Sequence, residues 1–248
     1  MIVLRLEELK LENDGAQLFK AALSATQLST LECILAVQPR DQVGVRLSAI
    51  PELGPFLISA GPVGRIPASV QGVGCFPVRA LLFDKSAEQN WSLAWHQDRT
   101  IVVKQRLDVS GFGPWSIKSG MIHVEPPFNL LARMLTLRVH LDSVPVTNAP
   151  LLIAPGSQKR GRVPTPETTG VVRECGVISC LADPGDIWLY STPILHGSDA
   201  AVVIELCCLK GWYHWVYKIN CVGIRFKGYS LQRNCPRLYR NRNDREVG

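Results

Sequence analysis

The sequence contains no apolar run of about 18 residues, the length that a membrane-spanning helix requires. It also shows no internal repeat and no low-complexity tract, which argues against a repeat architecture. Acidic residues at positions 7 and 8 precede any apolar core, so we expect no secretory signal peptide. Residues 246–248 do not form a peroxisomal signal of the Ser-Lys-Leu type. A cytoplasmic location is therefore expected, with the eight cysteines as thiols rather than disulfides.

Charged residues make up only 19% of the 248 residues, and the net charge of +6 is unevenly distributed. Residues 1–198 contain 18 basic and 17 acidic side chains, whereas residues 199–248 contain 9 and 4. Four of the eight cysteines also lie in this last segment. The length suits one domain with an appendage, so we predict a domain over residues 1–200 and an atypical, basic, cysteine-rich segment over residues 201–248. No aromatic and basic module accompanies the charge, which argues against nucleic-acid binding.

The hydrophobic pattern changes from helical to strand-like along the chain. Ser24 and Gln27 have the spacing of a capping box, which predicts a helix over residues 25–37. A short strand is predicted near residues 2–6, and residues 41–77 suggest loops and short helices. Further strands are predicted at residues 78–83, 95–103, 135–141, 151–154, 177–181 and 187–190. Many short strands with intervening turns indicate a mainly β sandwich or barrel with flanking helices.

A candidate metal site begins at residues 90–100, where His96, Gln97 and Asp98 stand in sequence. If they lie on one strand, His96 and Asp98 point to the same face. A third ligand is available at His196, within Ile-Leu-His-Gly-Ser. Two histidines and one carboxylate on one face of a metal form the facial set of non-haem Fe(II) oxygenases, with three coordination positions left open.

Spacing alone does not select this pair among the five histidines. Two other pairs have the same His-x-acid pattern, namely His123/Glu125 and His140/Asp142. The first of these runs into two prolines that end a strand. The second lies on a regular strand, where the histidine can serve as an ordinary hydrogen-bonding residue. The tryptophans at positions 91, 95, 115 and 188 are either pocket-lining or core residues.

Several short pieces resemble the phytanoyl-CoA dioxygenase family of Fe(II)/2-oxoglutarate oxygenases, in the family's order and over roughly residues 15–200. They are residues 82–85 (Leu-Phe-Asp-Lys), 95–98 (Trp-His-Gln-Asp), 151–157 ending in Pro-Gly-Ser, 184–186 (Pro-Gly-Asp) and 195–198 (Leu-His-Gly-Ser). The resemblance implies a double-stranded β-helix, the cupin-like jelly roll. It implies His96, Asp98 and His196 as ligands of Fe(II), and Ser198, Trp115 and Lys85 as candidate contacts of the co-substrate 2-oxoglutarate.

The activity implied by the resemblance is hydroxylation of a small molecule. Oxidative decarboxylation of 2-oxoglutarate would give succinate and CO2 and oxidise a C–H bond of the substrate. Halogenating relatives lack the carboxylate ligand, so the presence of Asp98 favours hydroxylation.

The chain departs from the family after His196. The family places an arginine, which binds the distal carboxylate of 2-oxoglutarate, about eleven residues after this histidine. Position 207 is a cysteine, and no arginine occurs between Arg173 and Arg225. Lysine at position 210 is a poor substitute for the bidentate guanidinium and could serve only if the chain turns between Ser198 and this residue. Otherwise Arg138 or Arg99 would have to serve instead.

Two hypotheses follow from this departure. Residues 201–248 do not resemble the closing strands of the fold, and are either a genuine variant end or the product of an altered reading frame or exon. The first hypothesis is a small-molecule hydroxylase whose affinity for 2-oxoglutarate is impaired. The alternative is a non-catalytic jelly-roll homologue with weak or no cofactor binding.

Overall fold

The computed structural model describes residues 6–39, 44–47, 50–85, 92–200 and 214–222, with only the backbone described for residues 84–85 and 214–222. The strands are β1 (Ala16–Phe19), β2 (Val45–Arg46), β3 (Phe76–Lys85), β4 (Leu93–His96), β5 (Ile101–Val103), β6 (Trp115–Lys118), β7 (Met121–Val124), β8 (Met134–His140), β9 (Leu151–Ile153), β10 (Ile178–Cys180), β11 (Ile187–Ser191), β12 (His196–Ser198) and β13 (His214–Val222). The α-helices are α1 (Leu11–Asp14), α2 (Ala25–Leu35), α3 (Gly54–Leu57), α4 (Arg65–Gln71), α5 (Phe128–Leu131) and α6 (Thr168–Cys175). None of the described helices has the length and apolar character needed to cross a membrane.

The strands form two antiparallel sheets that face each other, plus a smaller third sheet. The six-stranded sheet has the order β1-β11-β8-β13-β3-β2, and the four-stranded sheet has the order β10-β9-β12-β4. Trp188 and Tyr190 of β11 pack with Leu151 and Ile153 of β9 in one buried cluster, so the two sheets share an apolar interior. The third sheet is the short meander β5-β7-β6. This arrangement is the predicted double-stranded β-helix.

Helices cover the outer face of the six-stranded sheet. Helix α2 begins at the predicted capping box, in which Ser24 accepts a hydrogen bond from the Gln27 amide and the Gln27 side chain accepts one from the Ser24 amide. Its buried residues Leu31 and Leu35 belong to the same core cluster as Leu137 of β8. Because residues 135, 137 and 139 of β8 face this cluster, the alternate residues 136, 138 and 140 face the interior between the sheets.

The strand predicted over the metal motif is divided into two in the structure. The predicted strand over residues 95–103 is two strands, β4 and β5, which belong to different sheets. Residues 97–100 are not in a strand, so Asp98 does not share a strand face with His96 by simple alternation. After His96 the chain leaves the strand, and Gln97 is buried in the loop that follows. Near the N-terminus, residues 6–8 form a 3-10 turn, and the rest of the strand predicted there lies outside the described residues.

Strand β13 corrects the expectation for the last segment. The backbone of His214–Val222 lies between β3 and β8 and pairs antiparallel with both, which makes it a central strand of the six-stranded sheet. The aromatic run of residues 211–217 shows no clean alternation, so the sequence pattern did not indicate this strand. The division of the chain near residue 200 stays a prediction, and the strand suggested at residues 202–206 lies outside the described residues.

The turn before β11 is fixed by a buried carboxylate. Asp186 Oδ1 accepts a hydrogen bond from the Ala21 amide at 2.8 Å, and Oδ2 accepts from Lys20 Nζ at 2.8 Å and the Asp183 amide at 2.9 Å. Burial raises the pKa of Asp186, but these hydrogen bonds and the nearby ammonium together lower it below the ordinary value. Gly185 has φ +89°, and a Cβ there would lie 2.7 Å from the Leu23 carbonyl oxygen. The Gly-Asp pair is therefore a structural turn.

Candidate metal centre

The two histidines of the candidate site face each other across neighbouring strands. His96 is the last residue of β4, and His196 is the first residue of β12. The two are directly opposite in the antiparallel register, which places their side chains on the same face of the sheet. Their ring centroids lie 4.4 Å apart, with the rings tilted by 50°.

Asp98 completes the cluster from the loop that follows β4. Its Oδ2 lies 3.9 Å from His196 Nε2. One ligand atom from each of His96, Asp98 and His196 can be chosen so that all three lie within 4.8 Å of one another. His196 is fully buried, whereas His96 and Asp98 are partly exposed, so the cluster opens toward solvent on one side.

The backbone selects the tautomer of both imidazoles. His96 Nδ1 lies 2.8 Å from the Ala94 carbonyl oxygen, and His196 Nδ1 lies 2.9 Å from the Ile194 carbonyl oxygen. A carbonyl oxygen only accepts hydrogen bonds, so each Nδ1 carries the proton. Each Nε2 therefore presents a lone pair, which is the usual second-shell arrangement of metal-bound histidine.

Gln97 holds the two flanking ligands in place through its buried amide. Its Nε2 donates to the Gly161 carbonyl at 2.9 Å and to the Pro193 carbonyl at 2.8 Å. Its Oε1 accepts from the Val163 amide at 2.9 Å. One side chain thus ties the His-Gln-Asp segment both to the loop before α6 and to the chain just before β12.

A second clamp positions His196 itself. Ser157, in the predicted Pro-Gly-Ser turn, is fully buried, and its Oγ accepts a hydrogen bond from the Leu195 amide at 2.8 Å. The Ala154 amide donates to the Leu195 carbonyl at 2.9 Å. The residue before the ligand is therefore held at both its amide and its carbonyl.

The glycine between His196 and Ser198 is required by close packing of the strands. A Cβ on Gly197 would lie 2.8 Å from the Leu93 carbonyl oxygen of β4, closer than real Cβ contacts come. The pairing of β12 with β4 also shifts register between His196 and Ser198. The His-Gly-Ser motif thus brings two strands close together where the two histidines meet.

The electrostatic surroundings of the cluster are basic. Arg79 Nη2 of β3 lies 3.9 Å from Asp98 Oδ1, and both side chains are largely buried. Burial lowers the pKa of His123 on β7, and the charges of Arg79, Arg46 and Lys118 lower it further, although a hydrogen bond to the Met121 carbonyl raises it. His123 is therefore neutral near pH 7, which leaves Arg79 as the cation beside the carboxylate ligand.

This donor set fits a divalent transition metal. Two neutral imidazole nitrogens and one carboxylate oxygen on one side of a common point match the facial triad of non-haem Fe(II) sites. Among the described residues, no other group of three histidine, cysteine or carboxylate side chains brings its ligand atoms as close together. The competing pairs lie elsewhere, since His123 is on β7 of the third sheet and His140 ends β8.

The three predicted co-substrate contacts lie on three different strands. Ser198 is buried on β12, two residues after His196. Trp115 begins β6, packs in a separate cluster with residues such as Val124, and lies beneath the guanidinium of Arg106 at 5.5 Å from ring centroid to Cζ. Lys85 ends β3, and its side chain is outside the described part of the chain. The role of these three residues stays a prediction.

Sequence reasoning missed two residues of the site. Arg79 could have been found from the sequence, because it lies in a predicted strand, where successive side chains alternate between the two faces. Ala80 and Leu82 belong to the helix-covered core, so Arg79 lies on the opposite face, where it contacts Asp98. The role of Gln97 could not have been predicted, since nothing in the sequence indicates that its amide is buried and hydrogen-bonded.

Comparison with known proteins decides the family. The family model for phytanoyl-CoA dioxygenase (PhyH) matches residues 75–202, just over half of the chain. The chain belongs to the phytanoyl-CoA dioxygenase family. The matched region runs from the start of β3 to just beyond β12, so it includes the whole candidate metal centre of this family member. No curated protein matches the chain.

Solved structures of similar fold have low sequence identity to this chain. EctD from S. alaskensis, solved with 2-oxoglutarate and 5-hydroxyectoine, is 14% identical, with a TM-score of 0.60 over 86% of this chain and 73% of EctD. The 2-oxoglutarate-dependent epimerase SnoN of nogalamycin biosynthesis is 15% identical, with a TM-score of 0.54 over 86% and 77%. HygX from Streptomyces hygroscopicus, solved with nickel and 2-oxoglutarate, is 12% identical, with a TM-score of 0.51 over 86% and 84%. At these identities the likeness establishes the fold.

Proposed function

We propose that this protein is an Fe(II)- and 2-oxoglutarate-dependent dioxygenase that hydroxylates a C–H bond of a small molecule. The observation that carries the proposal is the convergence of His96, Asp98 and His196, with their ligand atoms within 4.8 Å of one another. Membership of the phytanoyl-CoA dioxygenase family supports the same assignment. Fold alone does not define a reaction, so the site is the basis of the argument.

The three side chains have distinct tasks. His96 and His196 would bind the metal through Nε2, since their Nδ1 atoms donate to backbone carbonyls. Asp98 would supply the anionic oxygen, and three coordination positions would remain for a chelating 2-oxo acid and O2. When bound, iron and 2-oxoglutarate supply the oxidative chemistry, in which O2 and 2-oxoglutarate yield succinate and CO2 and one oxygen atom enters the substrate C–H bond.

The surrounding residues hold the ligands and exclude water from one side. Tyr190 lies behind His196, with 5.8 Å between the ring centroids, and both residues are fully buried. The partly exposed side of the cluster is that of His96 and Asp98, so the substrate would approach there. Arg79 beside Asp98 stabilises the carboxylate before metal binds.

The substrate class rests on the relatives. EctD was solved with 5-hydroxyectoine and HygX with hygromycin B, both of them small molecules. A small-molecule substrate is accordingly the favoured class for this chain.

The proposal is tested by succinate release. The purified full chain is loaded anaerobically with Fe(II), then given 2-oxoglutarate at saturating concentration, ascorbate and O2, without a prime substrate. We expect slow succinate formation, and none from Asp98→Ala. Asp108→Ala is the matched control, because this carboxylate is 93% exposed and should leave the rate unchanged.

The outcomes separate the two hypotheses. Succinate from the wild type and from Asp108→Ala alone supports the dioxygenase. A wild-type protein that binds Fe(II) but forms no succinate at any 2-oxoglutarate concentration contradicts it and supports a non-catalytic homologue.

A further inference from the structure

On the interior face of the six-stranded sheet, residues that lie opposite one another on neighbouring strands form rows, which we call levels. Successive levels lie further from the metal centre. Strand β13 pairs with β3 and β8 in one register, so Arg79 and Thr136 lie opposite the same backbone position. Thr136 is in turn opposite Tyr190 of β11. These three residues form the first level, beside the metal centre, because Arg79 contacts Asp98 and Tyr190 lies near His196.

Arg138 stands on the next level inward. It is two residues from Thr136 on the same strand face, which corresponds to roughly 7 Å along β8. It lies opposite Trp188 of β11, which is fully buried. The distance between the first and second levels is therefore similar to the length of a five-carbon dicarboxylate.

The guanidinium of Arg138 has no protein anion as a partner within the described residues. Its Cζ lies 5.9 Å from the centroid of the Phe83 ring, and its Nε is buried without a hydrogen bond. The Trp188 indole offers no acceptor, since its Nε1 donates to the Leu181 carbonyl at 3.0 Å. A partly buried guanidinium without a counter-charge carries a desolvation cost, and its planar fork suits a carboxylate.

The titratable groups around Arg138 do not supply that counter-charge. Burial raises the pKa of Cys180 far above its ordinary value despite the opposing effect of Arg138, so its thiol stays protonated. Burial, reinforced by Arg138 and opposed by Asp186, lowers the pKa of His140 to about 3, so its ring is neutral. The carboxylate of Asp186 accepts its hydrogen bonds from Ala21, Lys20 and Asp183.

Three other cations are engaged elsewhere or lie outside the described residues. The Arg99 guanidinium donates to the Val163 carbonyl. Arg79 is on the first level, where it already contacts a metal ligand. Lys210 is outside the described residues. On the interior faces of β8 and β11, as far as these strands are described, Arg138 is the one permanently charged cation.

We propose that Arg138 binds the distal carboxylate of 2-oxoglutarate. It would thereby replace the arginine that the family resemblance places eleven residues after His196, where this chain has a cysteine. The inference rests on the proposed function, because it presumes a 2-oxo acid chelated at the metal. It replaces the expectation of weak co-substrate binding with one of normal affinity.

The test compares two co-substrates that differ at one end. The full chain is loaded anaerobically with Mn(II), and calorimetry measures the dissociation constants of 2-oxoglutarate and 2-oxovalerate, which shares the chelating group and chain length but ends in a methyl group. We expect the wild type to prefer 2-oxoglutarate by roughly a hundredfold, since breaking a desolvated charge pair has a large cost. In Arg138→Met the affinity for 2-oxoglutarate should fall by a similar factor, with 2-oxovalerate unchanged within about threefold.

Two further variants complete the test: one separates the charge of Arg138 from the geometry of its guanidinium, and the other is a control. Arg138→Lys keeps the charge without the fork and should retain part of the preference. Arg99→Met is the matched control and should keep all of it. Should Arg138→Met fail to fold, the wild-type preference and the Arg138→Lys variant still decide.

Each outcome bears on the proposal. Equal binding of both 2-oxo acids by the wild type, or full preference retained in Arg138→Met, overturns the role of Arg138 while leaving a metal-chelated 2-oxo acid intact. Absence of Mn(II) binding, or of binding by either 2-oxo acid, overturns the proposed function and this inference with it. Selective loss of 2-oxoglutarate binding supports both.

Discussion

The two ends of the jelly-roll interior are built differently. At the metal end, both imidazole Nδ1 atoms donate to backbone carbonyls, and the Gln97 amide makes three hydrogen bonds. At the inner end, the Nε of Arg138 and both ring nitrogens of His140 are buried without a described hydrogen-bond partner. Buried polar groups are normally bonded, so a ligand bound at the inner end would supply hydrogen-bond partners that the described residues do not.

The largest expected effect is loss of the metal in His96→Ala. This change removes one of three protein donors, so metal affinity should fall by more than the ~10–100-fold that loss of a second-shell partner costs. Anaerobic titration with Fe(II) or Mn(II) measures the change. His123→Gln is the control, because His123 Nδ1 has the same kind of bond, 2.9 Å to the carbonyl oxygen two residues earlier, on a strand of the third sheet. Undiminished metal binding by His96→Ala contradicts the assignment.

The metal end was largely predictable because its signals are local in sequence. A ligand pair two residues apart, a Pro-Gly-Ser turn and a His-Gly-Ser strand each specify a short piece of geometry, and the structure shows why: Ser157 bonds the Leu195 amide, and Gly197 lets β12 approach β4. The reason given for the first pair was wrong, because Asp98 reaches the site from a loop rather than along a strand.

The inner end was not predictable because it depends on pairing between distant strands. Arg138 was one of several cations that could serve, and only the register of β8 with β11 and β13 places it one level inward from the metal centre. The central position of β13 was missed for the same reason, since its backbone pairs with β3 and β8, which are distant from it in sequence. The contact of Arg79 with Asp98 likewise joins β3 to a loop of the other sheet.

The second prediction weakens the metal end without touching a ligand. Gln97→Ala removes three hydrogen bonds, and leaves the Val163 amide and two carbonyls without their partner. We expect the free energy of unfolding to fall by about 2–4 kcal/mol, and metal affinity to fall by roughly 10–100-fold. Denaturant unfolding and metal titration measure the two effects. A loss of stability with unchanged metal affinity indicates that Gln97 supports the loops and does not position the ligands.

The third prediction concerns the inner end and acid pH. The pKa of His140 is about 3 in the folded protein against about 6.5 when unfolded. Because the unfolded chain binds more protons below pH 6.5, stability is complete above that pH and falls as the pH drops toward 3. From pH 7 to 4.5 the loss should be about 2–3 kcal/mol.

His140→Gln cannot take up this proton and should show a correspondingly flatter stability profile over that range. The lowered pKa of Asp186 acts at lower pH, since its stabilising effect is present above about 3.9 and is lost as the pH falls through its folded pKa. Equal pH dependence in wild type and His140→Gln above pH 4.5 contradicts a buried, neutral His140.

The smallest effect is expected from Ser157→Ala, which removes a single clamp at the metal end. The hydroxyl accepts from the Leu195 amide at 2.8 Å, and both residues are fully buried, so water cannot easily replace the bond. An unpaired buried amide costs about 1–3 kcal/mol, and we expect the lower part of this range because the Leu195 carbonyl keeps its bond from Ala154. Ser116→Ala, at an exposed position of β6, is the control and should change stability by less than about 0.5 kcal/mol.

Because His196 follows Leu195 directly, metal affinity should fall several-fold in Ser157→Ala but not in Ser116→Ala, as metal titration would show. If both variants bind metal as the wild type does, the two remaining anchors, Gln97 and the Ala154 amide, are sufficient to position His196.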